Sequence, residues 1–315
     1  MPPPVTAVLD ASSRWLPARL GEVEALLREA LADSGERLEA DASATLAAGG
    51  KRLRPMLVLL CAGEAGGDPA VRAGAAVELV HMATLVHDDV LDEAPLRRGH
   101  PTVAASSGRE RALATGDLLL SRAFALLAKA GDERSTALLA AASVALARGE
   151  LAQRHDAFDL SISEGRYLER CRLKTATLFE CACLLGHDDE RVGAFGAEIG
   201  LAFQLLDDVL DVAGPPERTG KARGTDLRDG TVTLPLIEAA AADPGIRDAD
   251  LHALDAAAAE ALCDRIAAAG ALDRVRTRAL EMVAAAKRRL DHSSFAPEQR
   301  QLLELVADGV VQRYS

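Results

Sequence analysis

Any fold of this chain must bury two long apolar stretches and still present the same acidic turn at the end of each. The pentapeptide Asp-Asp-Val-Leu-Asp occurs at Asp88–Asp92, after AVELVHMATLVH, and again at Asp207–Asp211, after AEIGLAFQLL. On a helix, Asp88 and Asp92 share one face a turn apart, and Asp207 and Asp211 repeat the arrangement. Like charges at that spacing destabilise a helix, and neither copy holds a basic residue to offset them. A hard divalent cation does offset them, since it takes oxygen ligands and keeps waters and substrate phosphates in its shell. Two facing carboxylate turns around Mg²⁺ predict a site for an anionic substrate, most simply a diphosphate. A solvated helix end accounts for one such turn. It accounts poorly for two identical ones, each behind a stretch suited to burial.

The rest of the chain reads as helix. Sustained period-2 alternation and hairpin dipeptides between β-branched runs are missing, whereas apolar residues recur at i, i+3, i+4 and i+7. The pattern predicts helices over Leu16–Leu31, Arg37–Ala48, Pro55–Ala62, Val71–Leu91, Arg111–Ala130, Ser135–Ala147, Glu164–Leu185, Val192–Val212, Leu234–Ala242 and Leu251–Leu290, some of them subdivided. Breaks at Gly49-Gly50, Gly66–Pro69, Arg98–Pro101, Gly214–Pro216 and Asp243–Gly245 are too short to be linkers. A single all-α domain over residues 1–315 is expected, with residues 1–14 disordered. A composition of 49% hydrophobic and 27% charged residues suits a globular core of that size.

The net charge of −12 comes without a basic stripe, which excludes nucleic acid as a natural partner. Five cysteines show no disulfide or zinc spacing, and Cys181 and Cys183 read as small buried hydrophobes. The start of the chain lacks a basic segment followed by an apolar core, and the uncharged apolar run Ser135–Ala147 is too short to span a bilayer. A soluble, cytoplasmic protein is the expectation.

Cations that would hold an anionic substrate are found in two places. Gly49-Gly50-Lys51-Arg52-Leu53-Arg54-Pro55 joins a flexible entry, three cations and a proline suited to a first helical turn. Helix-start N–H groups beside cations make an anion site, and Lys51 and Arg54, three apart, are placed to hold one diphosphate. Arg97-Arg98-Gly99 follows the first acidic turn, its two guanidiniums directed to different sides and suited to separate phosphates. His81 shares a helical face with Asp88 and is read as a substrate contact; His87 stays open between a core and a site role. The polar, Gly-rich segment Pro215–Gly230 follows the second acidic turn, where a loop could close over bound diphosphate.

Taken together, GGKRLRP, ELVHMATLVHDDVLDEAPLRRG, Lys174-Thr175-Ala176, FQLLDDVLD and the following GK…GTDL…TLP resemble the trans-isoprenyl diphosphate synthases, or polyprenyl synthetases. These motifs lie between Gly49 and Pro235 in that family's order. The resemblance implies an all-α bundle of the isoprenoid synthase type with a central active-site cavity, assembled as a homodimer. It implies Asp88, Asp92, Asp207 and Asp211 as ligands of three Mg²⁺ ions bridging an allylic diphosphate, with Mn²⁺ as a substitute. Arg97, Lys174, Thr175, Gln204 and Lys221 would contact the allylic substrate, Lys174, Thr175 and Gln204 in catalytic roles. Lys51, Arg54, His81 and Arg98 would hold isopentenyl diphosphate. The implied reaction is head-to-tail (1'-4) condensation to an all-trans polyprenyl diphosphate.

The chain departs from the family at Thr231, where a lysine is usual, and after Arg98-Gly99, where a frequent asparagine is missing. In the family, bulky residues just before the first acidic turn block the growing product. Here these are Ala83 and Thr84, which resembles medium- and long-chain synthases and implies products of C20 or longer; Phe124 and Leu127 are candidates for the pocket floor. A terpene cyclase on the same fold is an alternative, although cyclases typically lack the doubled acidic motif and the isopentenyl clamp. An HD-type metal phosphohydrolase built on His87-Asp88 is another, leaving the second acidic turn unexplained. A non-catalytic partner subunit is a further one, but such subunits usually lose the acidic motifs.

Overall fold

A computed structural model describes residues 3–214, 223–291 and 293–312. The fold is all-α, with a two-residue β-ladder as the exception among the described residues. The first helices are α1 (Pro3–Ala11), α2 (Leu16–Leu31), α3 (Glu36–Ala47), α4 (Leu53–Ala62), α5 (Gly67–Leu91), α6 (Val103–Ser107), α7 (Arg109–Lys129) and α8 (Glu133–His155). They are followed by α9 (Glu164–Cys171), α10 (Thr177–Gly186) and α11 (Glu190–Ala213), and then by shorter helices and the long pair Ala271–Leu290 and Pro297–Gln312. No helix among the described residues is long and apolar enough to cross a membrane.

The described structure groups into two compact units. The first comprises Met1–Ser143, Leu178–Gly193 and Ser293–Val306; the second comprises Val144–Thr177, Ala194–His292 and Ala307–Ser315. In the first unit, α5 is the central helix, buried without a break from Ala73 to Val80 and packed against α2, α4 and α7. Its small residues allow that approach: Gly74 lies where a Cβ would stand 3.4 Å from Val23 and 3.6 Å from the Pro55 backbone. In the second unit, α11 buries Phe195, Ile199, Ala202, Leu205, Leu206, Val209 and Val212, the i, i+3, i+4 stripe of a helix with one face in the core.

Four local features add detail to the sequence reading. Helix α1 occupies Pro3–Ala11, within the stretch expected to be disordered. Leu96–Arg97 pairs antiparallel with His100–Pro101 around a tight turn at Arg98 (φ 53°) and Gly99 (φ 80°). Positive φ at both central residues gives the turn the twist that suits a two-residue hairpin, and arginine in the first position hides that signal. The helix predicted over Glu164–Leu185 is interrupted by a π segment at Arg172–Ala176, where the Arg172 carbonyl accepts from both the N–H and the hydroxyl of Thr177. The stretch Leu251–Leu290 breaks at Gly270 (φ 69°), between helices Ala256–Ala268 and Ala271–Leu290.

Candidate active site

In the first unit the site is built on the last turns of α5. The helix places His81 and Asp88 on its C-terminal part and ends at Leu91; Asp92 caps it, its N–H donating to the Asp88 carbonyl at 2.8 Å. Asp88 is half-buried and Asp92 exposed. The intervening Asp89 is buried and pairs with Arg97 at 2.7 Å, so the arginine expected to contact the allylic substrate is fastened to the acidic motif itself. Arg98, exposed in the hairpin turn, donates to the Gly49 carbonyl and ties the hairpin to the glycine loop.

That loop is anchored by Arg52, a residue not singled out by the sequence. In left-handed conformation (φ 47°), it donates to Glu24, to Glu78 at 3.0 Å and to the Leu46 carbonyl at 3.2 Å. With Arg52 engaged by the carboxylate of Glu78, Arg54 is held differently: its guanidinium lies 4.7 Å above the Phe179 ring. The buried Nε of Arg54 has no hydrogen-bond partner among the described residues. Burial lowers its pKa to about 10 against the raising effect of Glu78, which leaves it charged at neutral pH. Burial, then Arg54, Arg98, Arg97 and Arg52, hold His81 well below the ordinary imidazole value, so the ring is neutral. Arg52, His81, Arg97 and Arg98 line one cavity of about 410 Å³, together with Glu78 and Asp89. Lys51, Arg54, Asp88 and Asp92 are not among its lining residues. His87 turns towards α7, its Nε2 3.4 Å from the Leu113 carbonyl and 3.5 Å from Asp117.

In the second unit, α11 carries Gln204, Asp207, Asp208 and Asp211, and the π segment carries Lys174 and Thr175. A π turn inside a helix is often a functional site. The Thr175 hydroxyl donates to Gln204 Oε1 at 2.7 Å, and Gln204 Nε2 donates to Asp208 Oδ1 at 2.7 Å. Lys174 Nζ lies 2.5 Å from Glu150 on α8. One residue earlier, Gly149 meets the π segment so closely that a Cβ there would stand 2.6 Å from the Lys174 nitrogen.

Asp207 is exposed, whereas Asp211 is half-buried and accepts the Asp226 N–H at 3.2 Å through its carboxylate. Burial, then the charges of Asp226 and Asp207, raise Asp208 to about 8, opposed by its hydrogen bonds from Tyr167 and Gln204. Thr231, in place of the usual lysine, is half-buried and donates its N–H to the Asp226 carbonyl at 2.8 Å. Lys221 and part of the Pro215–Gly230 loop lie outside the described residues.

A model of the polyprenyl synthetase family matches residues 36–267. The chain belongs to the polyprenyl synthetase family. It is 39% identical over 241 residues to heptaprenyl diphosphate synthase component 2 of Geobacillus stearothermophilus, covering 73% of this chain and 75% of that one. It is 34% identical over 284 residues to geranylgeranyl diphosphate synthase of Methanosarcina mazei, covering 84% and 86%. The crystal structure of a polyprenyl synthase from Caulobacter crescentus, complexed with calcium and isoprenyl diphosphate, superposes with a TM-score of 0.91 at 34% identity over 99% and 98% of the two chains. The named relatives are prenyltransferases, and this chain is an enzyme of that kind. Their products differ in length, so membership of the polyprenyl synthetases leaves the length of this product to be argued.

The acidic turns fit the family's dependence on a divalent metal. Among the described residues no three His, Cys, Asp or Glu side chains stand together as a ready-made cage. Each turn instead offers two carboxylates one helical turn apart, a donor set for a hard cation that keeps waters and takes substrate phosphates. The crowding of Asp207, Asp208 and Asp226 adds an excess of negative charge in the second unit. Of the residues tied to product length, Ala83 is buried at 2% exposure, and the Thr84 hydroxyl donates to the His81 carbonyl at 2.8 Å. Leu127 is buried and Phe124 half-buried on α7.

Proposed function

We propose that this chain joins isopentenyl diphosphate to an allylic prenyl diphosphate, head to tail, making an all-trans polyprenyl diphosphate of C20 or longer and releasing diphosphate. The observation that carries this reading lies within the first unit. An acidic helix end at Asp88 and Asp92 shares its helix with His81, and His81 lies in one cavity wall with three arginines. A terpene cyclase, which takes one diphosphate substrate, has no need of further basic residues such as Arg98 on this wall and Lys51 and Arg54 at the glycine loop.

Lys51, Arg54, Arg98 and the neutral His81 are assigned to isopentenyl diphosphate. Arg54, stacked on Phe179 with an unused Nε, has a donor to give to a phosphate oxygen, and a neutral imidazole can donate without adding charge. Lys174, Arg97 and Lys221 are assigned to the allylic diphosphate, and the four aspartates Asp88, Asp92, Asp207 and Asp211 to Mg²⁺. Bound Mg²⁺ would supply positive charge to the departing diphosphate. As the allylic C–O bond breaks, the double bond of isopentenyl diphosphate provides the electron pair of the new carbon–carbon bond. A proton then leaves to the released diphosphate. Thr175 and Gln204 supply oxygen dipoles to the electron-poor allylic carbon. Small side chains at Ala83 and Thr84 favour elongation past fifteen carbons.

The test is incubation with Mg²⁺, isopentenyl diphosphate and allylic primers of increasing length, followed by sizing of the products. Diphosphate release that needs both substrates, with products of C20 or longer, is expected. Cyclic hydrocarbon from the allylic substrate alone would replace this reading with a cyclase.

A further inference from the structure

Tyr167, on α9, is buried at 1% exposure, and its hydroxyl donates to Oδ2 of Asp208 at 2.5 Å. Asp208 is buried at 3% and accepts the Gln204 amide on its other oxygen at 2.7 Å. Gln204 in turn accepts the Thr175 hydroxyl at 2.7 Å. Four side chains from α9, the π segment and α11 thus form one polar chain inside the second unit.

The chemistry of the groups gives the chain a direction. Gln204 turns its NH₂ towards Asp208 and its carbonyl towards Thr175, and an amide nitrogen only donates and its carbonyl only accepts whatever the charge on Asp208. A carbonyl cannot donate, so Thr175 spends its single proton on Gln204. What remains on the Thr175 oxygen is lone pairs. An electron-poor allylic carbon is stabilised by an oxygen that presents lone pairs and is repelled by one that presents its proton. Burying an acid is costly, and a well-packed apolar residue would do as much for stability. The chain therefore serves something other than packing.

We propose that Tyr167 and Asp208 are positioning residues that set the polarity of the Thr175 hydroxyl through Gln204. The inference rests on the prenyl-transfer reading. Tyr167 holds Asp208 in place, Asp208 fixes which way round the Gln204 amide lies, and the amide fixes the proton of Thr175.

Tyr167→Phe removes one oxygen from this chain. It should lower kcat about tenfold, the upper scale of one buried hydrogen bond, with the KM for both diphosphates changed less than roughly twofold. The decisive measurement is a double-mutant cycle. If Tyr167 acts through the chain, adding Tyr167→Phe to Gln204→Leu should lower kcat by less than roughly twofold further. Equal tenfold losses in both backgrounds, or a rise in KM with kcat intact, would overturn the inference. Should Tyr167→Phe fail to fold, Thr175→Val and Gln204→Leu form the second cycle, with Thr175→Ser expected to restore most of the rate. Additive losses there would also overturn it. A wild-type protein that makes no prenyl product refutes the functional reading instead.

Discussion

The crossing of α8 over the π segment gives a sharp test of how Lys174 and Thr175 are held. At Gly149 an added Cβ would lie 2.6 Å from the Lys174 nitrogen and 2.9 Å from both the Leu173 carbonyl carbon and the Lys174 Cα. All three are backbone atoms, so no rotamer change relieves the contact. Carbon atoms settle at about 3.5–4.0 Å, so Gly149→Ala must part the two segments by about 1 Å. Overpacking of this kind costs about 1–3 kcal/mol. Against a typical stability of about 5–15 kcal/mol, the variant stays folded at 25 °C. Any loss of rate then reports displacement of the site and not unfolding. A 1 Å misplacement of groups around reacting atoms costs on the order of 10²-fold in rate. The expected result is a lower urea midpoint at unchanged slope together with a kcat reduced by roughly that factor.

Gly21→Ala is the control. It is the same substitution on the exposed face of α2, with nothing within 4 Å of the added carbon. Helix propensity alone should raise stability there by about 0.8–1.0 kcal/mol, leaving kcat unchanged. Gly149→Ala with wild-type stability and wild-type kcat would refute the reasoning outright. Loss of stability with full kcat would show that α8 packs on the π segment without positioning its side chains.

Other predictions follow from the charged groups and the buried wall. Prenyl transfer should stop in excess chelator and return with Mg²⁺, and Asp88→Ala or Asp207→Ala should each lower turnover at least about 100-fold, roughly 3 kcal/mol of transition-state stabilisation. Arg54→Ala should raise the KM for isopentenyl diphosphate more than that for the allylic primer; the opposite order would reverse the two assignments. Because His81 is held below its ordinary value of 6.5, the native state binds fewer protons than the unfolded chain below that pH. Wild-type stability should therefore fall on acidification from about pH 7 to 5, and His81→Gln should lose less over the same range in urea titrations. Ala83→Phe places a ring in a dense interior and should shorten the product while activity persists; an unchanged product length would move the floor elsewhere.

The helices were legible because apolar periodicity is a property of each segment alone. The hairpin was not, because arginine stands at the first turn position where Asn or Asp normally marks it, and positive φ is then imposed by its contacts. The π segment escaped because one extra residue in a turn barely disturbs an apolar stripe. Arg52 was passed over between Lys51 and Arg54 because its partners, Glu24 and Glu78, lie 28 and 26 residues away.

The acidic pentapeptides show most clearly what local reading captures and what it misses. Spacing i, i+4 marks Asp88 with Asp92 and Asp207 with Asp211, and in both copies these carboxylates are exposed or half-buried. The second aspartate of each copy lies about 100° around the helix, on the face that packs inward. Asp89 and Asp208 are accordingly buried at 5% and 3%. One holds Arg97 and the other holds Tyr167 and Gln204. The sequence assigns neither inner aspartate a role, since burial of an acid depends on partners distant in the chain that no local pattern records. The identical motif therefore does two jobs at each site. Its outer pair stays exposed or half-buried, as the proposed cation ligands must, and its inner acid holds side chains that the proposed function assigns to the substrate.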